Sequence, residues 1–330
     1  MGIPDNGTMA ETSPARHLLI PFAGRGSPAC RAATPGLQLP RLEALLARLV
    51  PVGTDPQDDS TFSPPHERAL AAALGLAAPD GCIPWAAREA RALGLPGSEG
   101  DAAWAWLDLC HWQVDLSDVV LGEPAQTQLS AAESQSLRDA AQPLFEEDGI
   151  RLHGGAFPGR WLASGELFRG LPTASLDRAI GNSISQWSPV TDAGRPLRRL
   201  QNEIQMLLYT ERVNDDRTAR GLPPINSFWL SGTGALPAGM QPEGAAPTVV
   251  DLLRMPALHD DGAGWAAAWA AVDAGPVAEL LADCERGADV VLTLCGDLDA
   301  QRFAGGPRGL SGWVKRLFNR SRAATVLETL

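Results

Sequence analysis

The sequence predicts an α/β protein whose core is interrupted by a smaller inserted α/β unit. Two apolar runs end in glycine-rich loops, His17–Phe22 into Ala23-Gly-Arg-Gly-Ser27 and Asn226–Leu230 into Ser231-Gly-Thr-Gly234, the pattern of buried strands leaving a sheet. Strands and helices alternate on both sides of a middle segment that has elements of its own. The 330 residues amount to about two domains at roughly 150 residues each. A composition of 45% hydrophobic and 20% charged residues suits a packed interior rather than a disordered chain.

Residues 1–16 are a polar leader, and the first part of the core domain spans 17–98. After the opening strand, Leu39–Val50 predicts a helix, with Leu42, Leu45, Leu46 and Leu49 on one face and Arg41, Glu43 and Arg48 opposite. A polar loop, Gly53–Ser63, leads to a second helix that starts after Pro64-Pro65 and is capped by Gly75. Residues 77–100 are rich in Pro, Gly and Ala, which puts a domain boundary near residue 98.

The inserted domain, 99–225, opens on alternating strand pattern through Trp104, Trp106, Leu109, Trp112 and Val114. Ser130 and Glu133 form a capping box for a helix ending near Phe145, and Ile150–His153 and Arg160–Ala163 predict strands. Arg195–Tyr209 carries Leu197, Leu200, Ile204, Leu207 and Leu208 on one helical face. The core resumes over 226–306 with strands at Asn226–Leu230, Thr248–Leu253 and Asp289–Leu294, and a helical stretch, Trp265–Leu281, broken at Gly275-Pro276. In the tail, 307–330, residues 311–322 place Trp313, Val314, Leu317 and Phe318 on one face among Lys315, Arg316, Arg320 and Arg322. Such an amphipathic basic helix suits a protein partner's groove, an anionic membrane surface or its own core.

The balance of 27 basic against 39 acidic residues, a net charge of -12, argues against nucleic-acid binding. Lys315 is the only lysine, which removes phosphate-loop and Schiff-base lysine chemistry from the folded body. The five cysteines, Cys30, Cys82, Cys110, Cys284 and Cys295, are scattered and contain no C-x-x-C pair, so neither a disulfide scaffold nor a zinc cluster is expected. No apolar run reaches 18 residues and the leader lacks a secretory pattern, which predicts a cytoplasmic protein.

Val213-Asn214, Arg220-Gly-Leu-Pro-Pro-Ile-Asn-Ser227 and the following Phe-Trp-Leu-Ser-Gly-Thr-Gly234 resemble the archaeal-type cofactor-independent phosphoglycerate mutases of the alkaline phosphatase superfamily. The resemblance extends through Thr34–Leu49, Pro65–Gly75, residues 103–163 and Val291-Leu-Thr293. It is closer to the proteobacterial Rpf E-type regulatory group through Ser63-Pro-Pro-His-Glu-Arg-Ala69, Cys110-His-Trp-Gln113 and Gly170-Leu-Pro-Thr-Ala-Ser-Leu-Asp177. It implies an alkaline phosphatase-like α/β fold, with a mixed, mostly parallel sheet and the inserted domain closing over the site. The implied chemistry is phosphoryl transfer through a phosphoserine with two divalent metals.

At the positions that carry that chemistry the chain departs from the pattern. Ala23 stands where the family has a metal-binding aspartate, and His66 and Glu67 stand at the nucleophilic serine and its neighbouring aspartate. The late metal segments meet only His259, Asp260 and Asp261, and then Cys295-Gly296-Asp297. His259, Asp261 and Asp297 are therefore vestigial metal candidates.

His66, in the first turn of a helix with Arg68 nearby, is read as part of a phosphoanion pocket; a histidine nucleophile and an ordinary helix-start residue are the alternatives. The inserted domain is rich in arginine, and Arg178 and Arg217 are taken as further anion contacts by analogy with the family's substrate clamps. The expectation is a catalytically degenerate, regulatory or phosphometabolite-binding protein that needs no cofactor. The alternative is an active 2,3-bisphosphoglycerate-independent mutase or related phosphotransfer enzyme with a rearranged site, needing manganese or zinc. A scaffold recruited through residues 311–322 is a third reading.

Overall fold

A computed structural model describes residues 15–76, 78–114, 118–188, 194–238, 240, 246–305 and 323–330, so the leader up to residue 14 and the basic segment 311–322 lie outside the described residues. The chain begins with β1 (Arg16–Ile20), α1 (Pro28–Ala33), α2 (Pro40–Leu46), β2 (Leu49–Asp55), α3 (Pro65–Ala73) and α4 (Trp85–Ala92). It continues through β3 (Ala103–Cys110), β4 (Trp112–Val114), β5 (Val119–Leu121), α5 (Ala131–Glu147), β6 (Arg151–Gly154) and β7 (Arg160–Ser164). Then come α6 (Leu176–Ala179), α7 (Ile184–Trp187), α8 (Arg195–Thr210), α9 (Arg212–Ala219), β8 (Ser227–Ala235) and β9 (Thr248–Val249). The last elements are α10 (Arg254–Leu258), α11 (Gly262–Val272), α12 (Ala278–Glu285), β10 (Val290–Cys295), β11 (Ala300–Gly305) and α13 (Ala323–Leu327).

Among the described residues the larger sheet has the order β2-β11-β10-β1-β9. It is mixed: β1 runs parallel to both β10 and β9, whereas β11 and β2 continue it antiparallel. Strand alternation sends Leu18, Ile20, Leu292 and Leu294 to one face, where Leu42, Leu45, Trp265 and Trp269 pack on them. Leu19, Cys295 and Ala300 face the other way, onto Ala69 and Leu70 of α3. The result is an α/β fold with helices on both faces of the mixed sheet. The smaller sheet, β6-β7-β3-β8, is antiparallel throughout. One of its faces is covered by α5 and α8 through Leu137, Phe145, Leu200 and Ile204, and α4 lies against the other with Ala86, Ala87 and Ala90.

Several expectations shift. Leu49–Asp55, predicted as the end of a helix and the start of a loop, is an edge strand, where Pro51 needs no ladder partner on its outer side and exposure hides the apolar signal. Ser227–Ala235, expected to return the chain to the core sheet, instead pairs with β3 along the edge of the smaller sheet. The Pro-, Gly- and Ala-rich stretch read as a domain edge contains α4. Thr248–Leu253 yields only a two-residue strand before the chain turns into α10. Gly275-Pro276 does not break the helix: a wide π-type turn, Asp273–Val277, joins α11 to α12. It also buries the Asp273 carboxylate where it accepts the Leu42 N–H at 2.8 Å and caps α2. No helix among the described residues is long and apolar enough to cross a membrane.

The sheet carries one acid-sensitive group. His17 lies between strands with Nε2 2.8 Å from Thr293 Oγ1, and burial, helped by the Arg302 charge, pushes its pKa down to about 4. The folded value lies below the unfolded value of about 6.5, so the neutral ring's contribution is complete above pH 6.5 and is lost as pH falls from there toward 4. The slope from this group is at most about 1.4 kcal/mol per pH unit, and less because the ring keeps some solvent contact. Urea unfolding at pH 7 and pH 5 is expected to show that loss, and His17→Gln to flatten it. An equal pH dependence in the variant would refute this assignment.

Candidate functional site

Pro64 is extended (φ -67°, ψ 161°) and Pro65 takes the first helical position of α3, where no N–H is needed. The next two residues meet the loop that ends at α6. His66 Nε2 lies 3.2 Å from Asp177 Oδ2, and its ring centroid is 5.0 Å from that of Phe22. Glu67 accepts from the Ser175 hydroxyl and, at 3.3 Å, from the Trp85 indole. Ser175 caps α6 by accepting the Asp177 N–H at 3.3 Å, which fixes Asp177 beside α3. Arg254, at the start of α10, donates Nε (2.9 Å) and Nη2 (2.6 Å) to Asp177 Oδ1. Burial alone would raise the Asp177 pKa, but His66 and Arg254 outweigh it and hold the carboxyl well below the usual range. Burial moves Glu67 upward, against the opposing pull of His66 and Ser175.

Beyond α3 a second group gathers at the carboxyl ends of β1 and β10. Arg25 pairs with Asp297, whose other oxygen accepts the Gly26 N–H at 2.7 Å. Arg178 donates to Thr61 Oγ1 at 2.9 Å and lies 3.4 Å from the Asp297 carbonyl. Arg68 is a strut: it donates to Asp55 (2.7 Å), to the Ser63 carbonyl and to the Leu298 carbonyl (3.3 Å). Of the expected anion contacts, His66, Arg68 and Arg178 thus come together, but Arg68 is already committed to protein acceptors.

Arg217 requires a correction. It has no exposed surface, and it donates to the Pro223 carbonyl at 3.0 Å and the Thr127 carbonyl while lying 3.3 Å from Glu133. A guanidinium sealed in this way ties chain segments together and is closed to a ligand. The block that carries the family resemblance is built around it. Asn214 donates to the Leu208 and Ile225 carbonyls and accepts the Ile225 N–H, each at 2.7 Å, and Asn226 brackets the Trp112 backbone at 2.7 and 2.9 Å.

Two of the vestigial metal candidates, Asp261 and Asp297, are used for other purposes. Asp261 caps α11 through the Gly264 N–H at 2.9 Å, and its neighbour Asp260 accepts from Ala29 (3.0 Å) and Cys30 (3.1 Å) at the start of α1. Asp297 is taken by Arg25, and His259 ends α10. Ala23 offers no donor atom, is fully buried, and its carbonyl accepts the Trp269 indole at 3.2 Å, as that of Phe22 accepts the Trp265 indole at 3.0 Å. A Cβ on Gly24 would lie 2.4 Å from the Leu327 carbonyl, and one on Gly296 2.3 Å from that of Leu330, so residues 323–330 cover the ends of β1 and β10. Two divalent ions sharing a transferred group need several carboxylate and imidazole donors converging on them. Among the described residues no three His, Cys, Asp or Glu side chains form a group able to hold a metal ion. The donor set does not fit the two-metal centre that the resemblance implies.

A concavity lies between the two units. It measures about 460 Å³ and is lined by five carboxylates, Glu67, Asp108, Glu123, Asp177 and Asp251, against two guanidiniums, Arg160 and Arg254. The register of β3 against β7 puts Asp108 opposite Arg160, which grips it with two bonds of 2.7 and 2.9 Å. The Arg160 guanidinium carbon stands 4.0 Å from the Trp106 ring centroid and 5.0 Å from that of Phe157, an aromatic clamp. The His111 ring bonds to the Pro224 carbonyl at 2.8 Å. Burial raises the Cys110 thiol well above its ordinary value, which leaves it inert as a nucleophile.

Except for Glu67, noted only as a neighbour of His66, the cleft carboxylates and both arginines escape sequence reasoning. The available signal is the Ser175-Leu-Asp177 helix start, whose capping serine brings an aspartate to a fixed place.

No family model matches the chain. No curated relative matches it either. Among solved structures it is similar to the PH0037 protein of Pyrococcus horikoshii, with 15% identity over 89% of this chain and 88% of that one and a TM-score of 0.44. It is also similar to the cofactor-independent phosphoglycerate mutase of Thermoplasma acidophilum, with 14% identity over 96% and 98% of the two chains and a TM-score of 0.37. What the cleft can do is read from its own side chains.

Proposed function

We propose that this chain is a ligand-binding, regulatory protein of phosphoglycerate mutase-like layout that carries out no two-metal phosphoryl transfer. One observation carries the reading: among the positions matched to the family's metal ligands and nucleophile, Ala23 lacks a donor and His66, Asp260, Asp261 and Asp297 are already committed. Ala23 is buried under two indoles, His66 is held by Asp177, and Asp297 is held by Arg25 and Gly26. The cleft of about 460 Å³ between the two units supports the ligand-binding part of the reading. A regulatory role in the cytoplasm is the part of this proposal that follows the likeness to the Rpf E-type group.

The test is direct. Purified protein incubated with manganese or zinc and then desalted is expected to retain no stoichiometric metal and to show no mutase or phosphatase turnover. Two ions retained per chain together with robust turnover would overturn the proposal.

A further inference from the structure

We infer that the interdomain cleft is built for a small protonated amine, seated on Glu123 and Asp251 with its polar body against the Trp106 indole. The inference deepens the ligand-binding reading above and rests on it.

Its basis is an unmatched charge. The Glu123 side chain is only 4% exposed, yet its nearest cation, Arg254 Nη1, is 4.0 Å from Oε1. Oε1 receives only a long bond, 3.5 Å, from the Ala125 N–H, and Oε2 is sealed from solvent without any hydrogen-bond partner. A buried carboxylate oxygen left bare is costly, and a ligand donor removes that cost. The Trp106 Nε1–H, also on the cleft wall, is a second buried group without a partner.

The remaining cleft carboxylates have internal partners, Glu67 the Ser175 hydroxyl and the Trp85 indole. Asp108 is held by Arg160, and Asp177 by Arg254 and His66. Arg254 commits its short bonds to Asp177, which leaves Asp251 at the rim without a close cation; burial and the Asp177 charge raise the Asp251 pKa while Arg254 lowers it. The unneutralised charge of the cleft is therefore negative. A phosphate would face these carboxylates while both lining guanidiniums are already engaged. An ammonium brings three donors and no acceptor, which suits Glu123 and Asp251, and a hydroxyl on the same molecule can accept from Trp106.

The experiment titrates the full chain with ethanolamine, a hydroxyl-bearing amine, with glucosamine, an amino sugar, and with inorganic phosphate. Calorimetry and tryptophan fluorescence report binding, because Trp85 and Trp106 line the cleft. At least one amine is expected to saturate a single site and to change the fluorescence. Glu123→Gln, which keeps side-chain size and the Oε1 acceptor, is expected to weaken that binding by about tenfold or more. Asp251→Asn, at an exposed position, serves as the second variant and is expected to weaken it several-fold with an unchanged melting temperature. Binding of neither amine, or parental affinity in both folded variants, overturns the inference. Phosphate that saturates the site without turnover also overturns it while leaving the ligand-binding reading in place, whereas metal-dependent turnover defeats that reading separately.

Discussion

Ala23→Asp is expected to destabilise the protein by about 3–5 kcal/mol, the magnitude for an uncompensated buried charge, without creating a metal site. The substitution restores the residue type that the family resemblance puts at the end of the first strand, so it asks whether that place is open. Ala23 has no exposed surface, its N–H is bonded to the Cys295 carbonyl at 2.6 Å, and the Trp269 indole occupies its carbonyl. A carboxylate there would meet backbone oxygens and indole edges, with the adjacent Arg25 already paired to Asp297. Urea unfolding and metal analysis of the variant check this. Parental stability with retained manganese would mean that the ends of β1 and β10 are an accessible metal pocket, and the proposed non-transferase function would fall.

The second large effect belongs to Arg217→Met, expected to cost about 3–5 kcal/mol because it removes one partner of a buried charge network. Methionine keeps much of the stem volume, so the loss reports the guanidinium. Without it the Pro223 and Thr127 carbonyls and one face of Glu133 lose their donor. Thr127 lines the cleft, so the variant is also expected to loosen the turn that carries Glu123. A destabilisation below about 1 kcal/mol, the range of exposed pairs, would show that Arg217 is not sealed in solution.

These two positions mark where local pattern succeeds and where it fails. The closure at Ala23 is half legible in the sequence, since alanine cannot donate to a metal in any fold. The burial of Arg217 is not legible. An arginine in the last turn of a short polar helix looks like surface charge, and only the return of Pro223 and the approach of Thr127 from 90 positions away enclose it.

Secondary structure divides in the same way. The opening strand, α3 with its double proline and Gly75 at φ 70°, and α5 with its capping box all follow from short-range chemistry. The edge strand β2 is harder to read, because an exposed strand carries polar residues, Pro51 and Gly53 without penalty on its free side. The assignment of β8 to the smaller sheet is invisible locally: nine residues that are buried in almost every position say that a sheet covers them, not which one.

By itself the sequence determined the α/β class, the presence of a single lysine and the lack of a metal donor at position 23. Each of these is a property of residue type or short-range periodicity. Tertiary structure alone decided the sign of the cleft, because Glu67, Asp108, Glu123, Asp177 and Asp251 stand far apart in the chain and meet only when the two units close on each other. The field in a pocket is a sum over neighbours in space and over the partners each has already taken, and pairing leaves Glu123 buried with its nearest cation, Arg254, 4.0 Å away and its Oε2 without a hydrogen-bond partner.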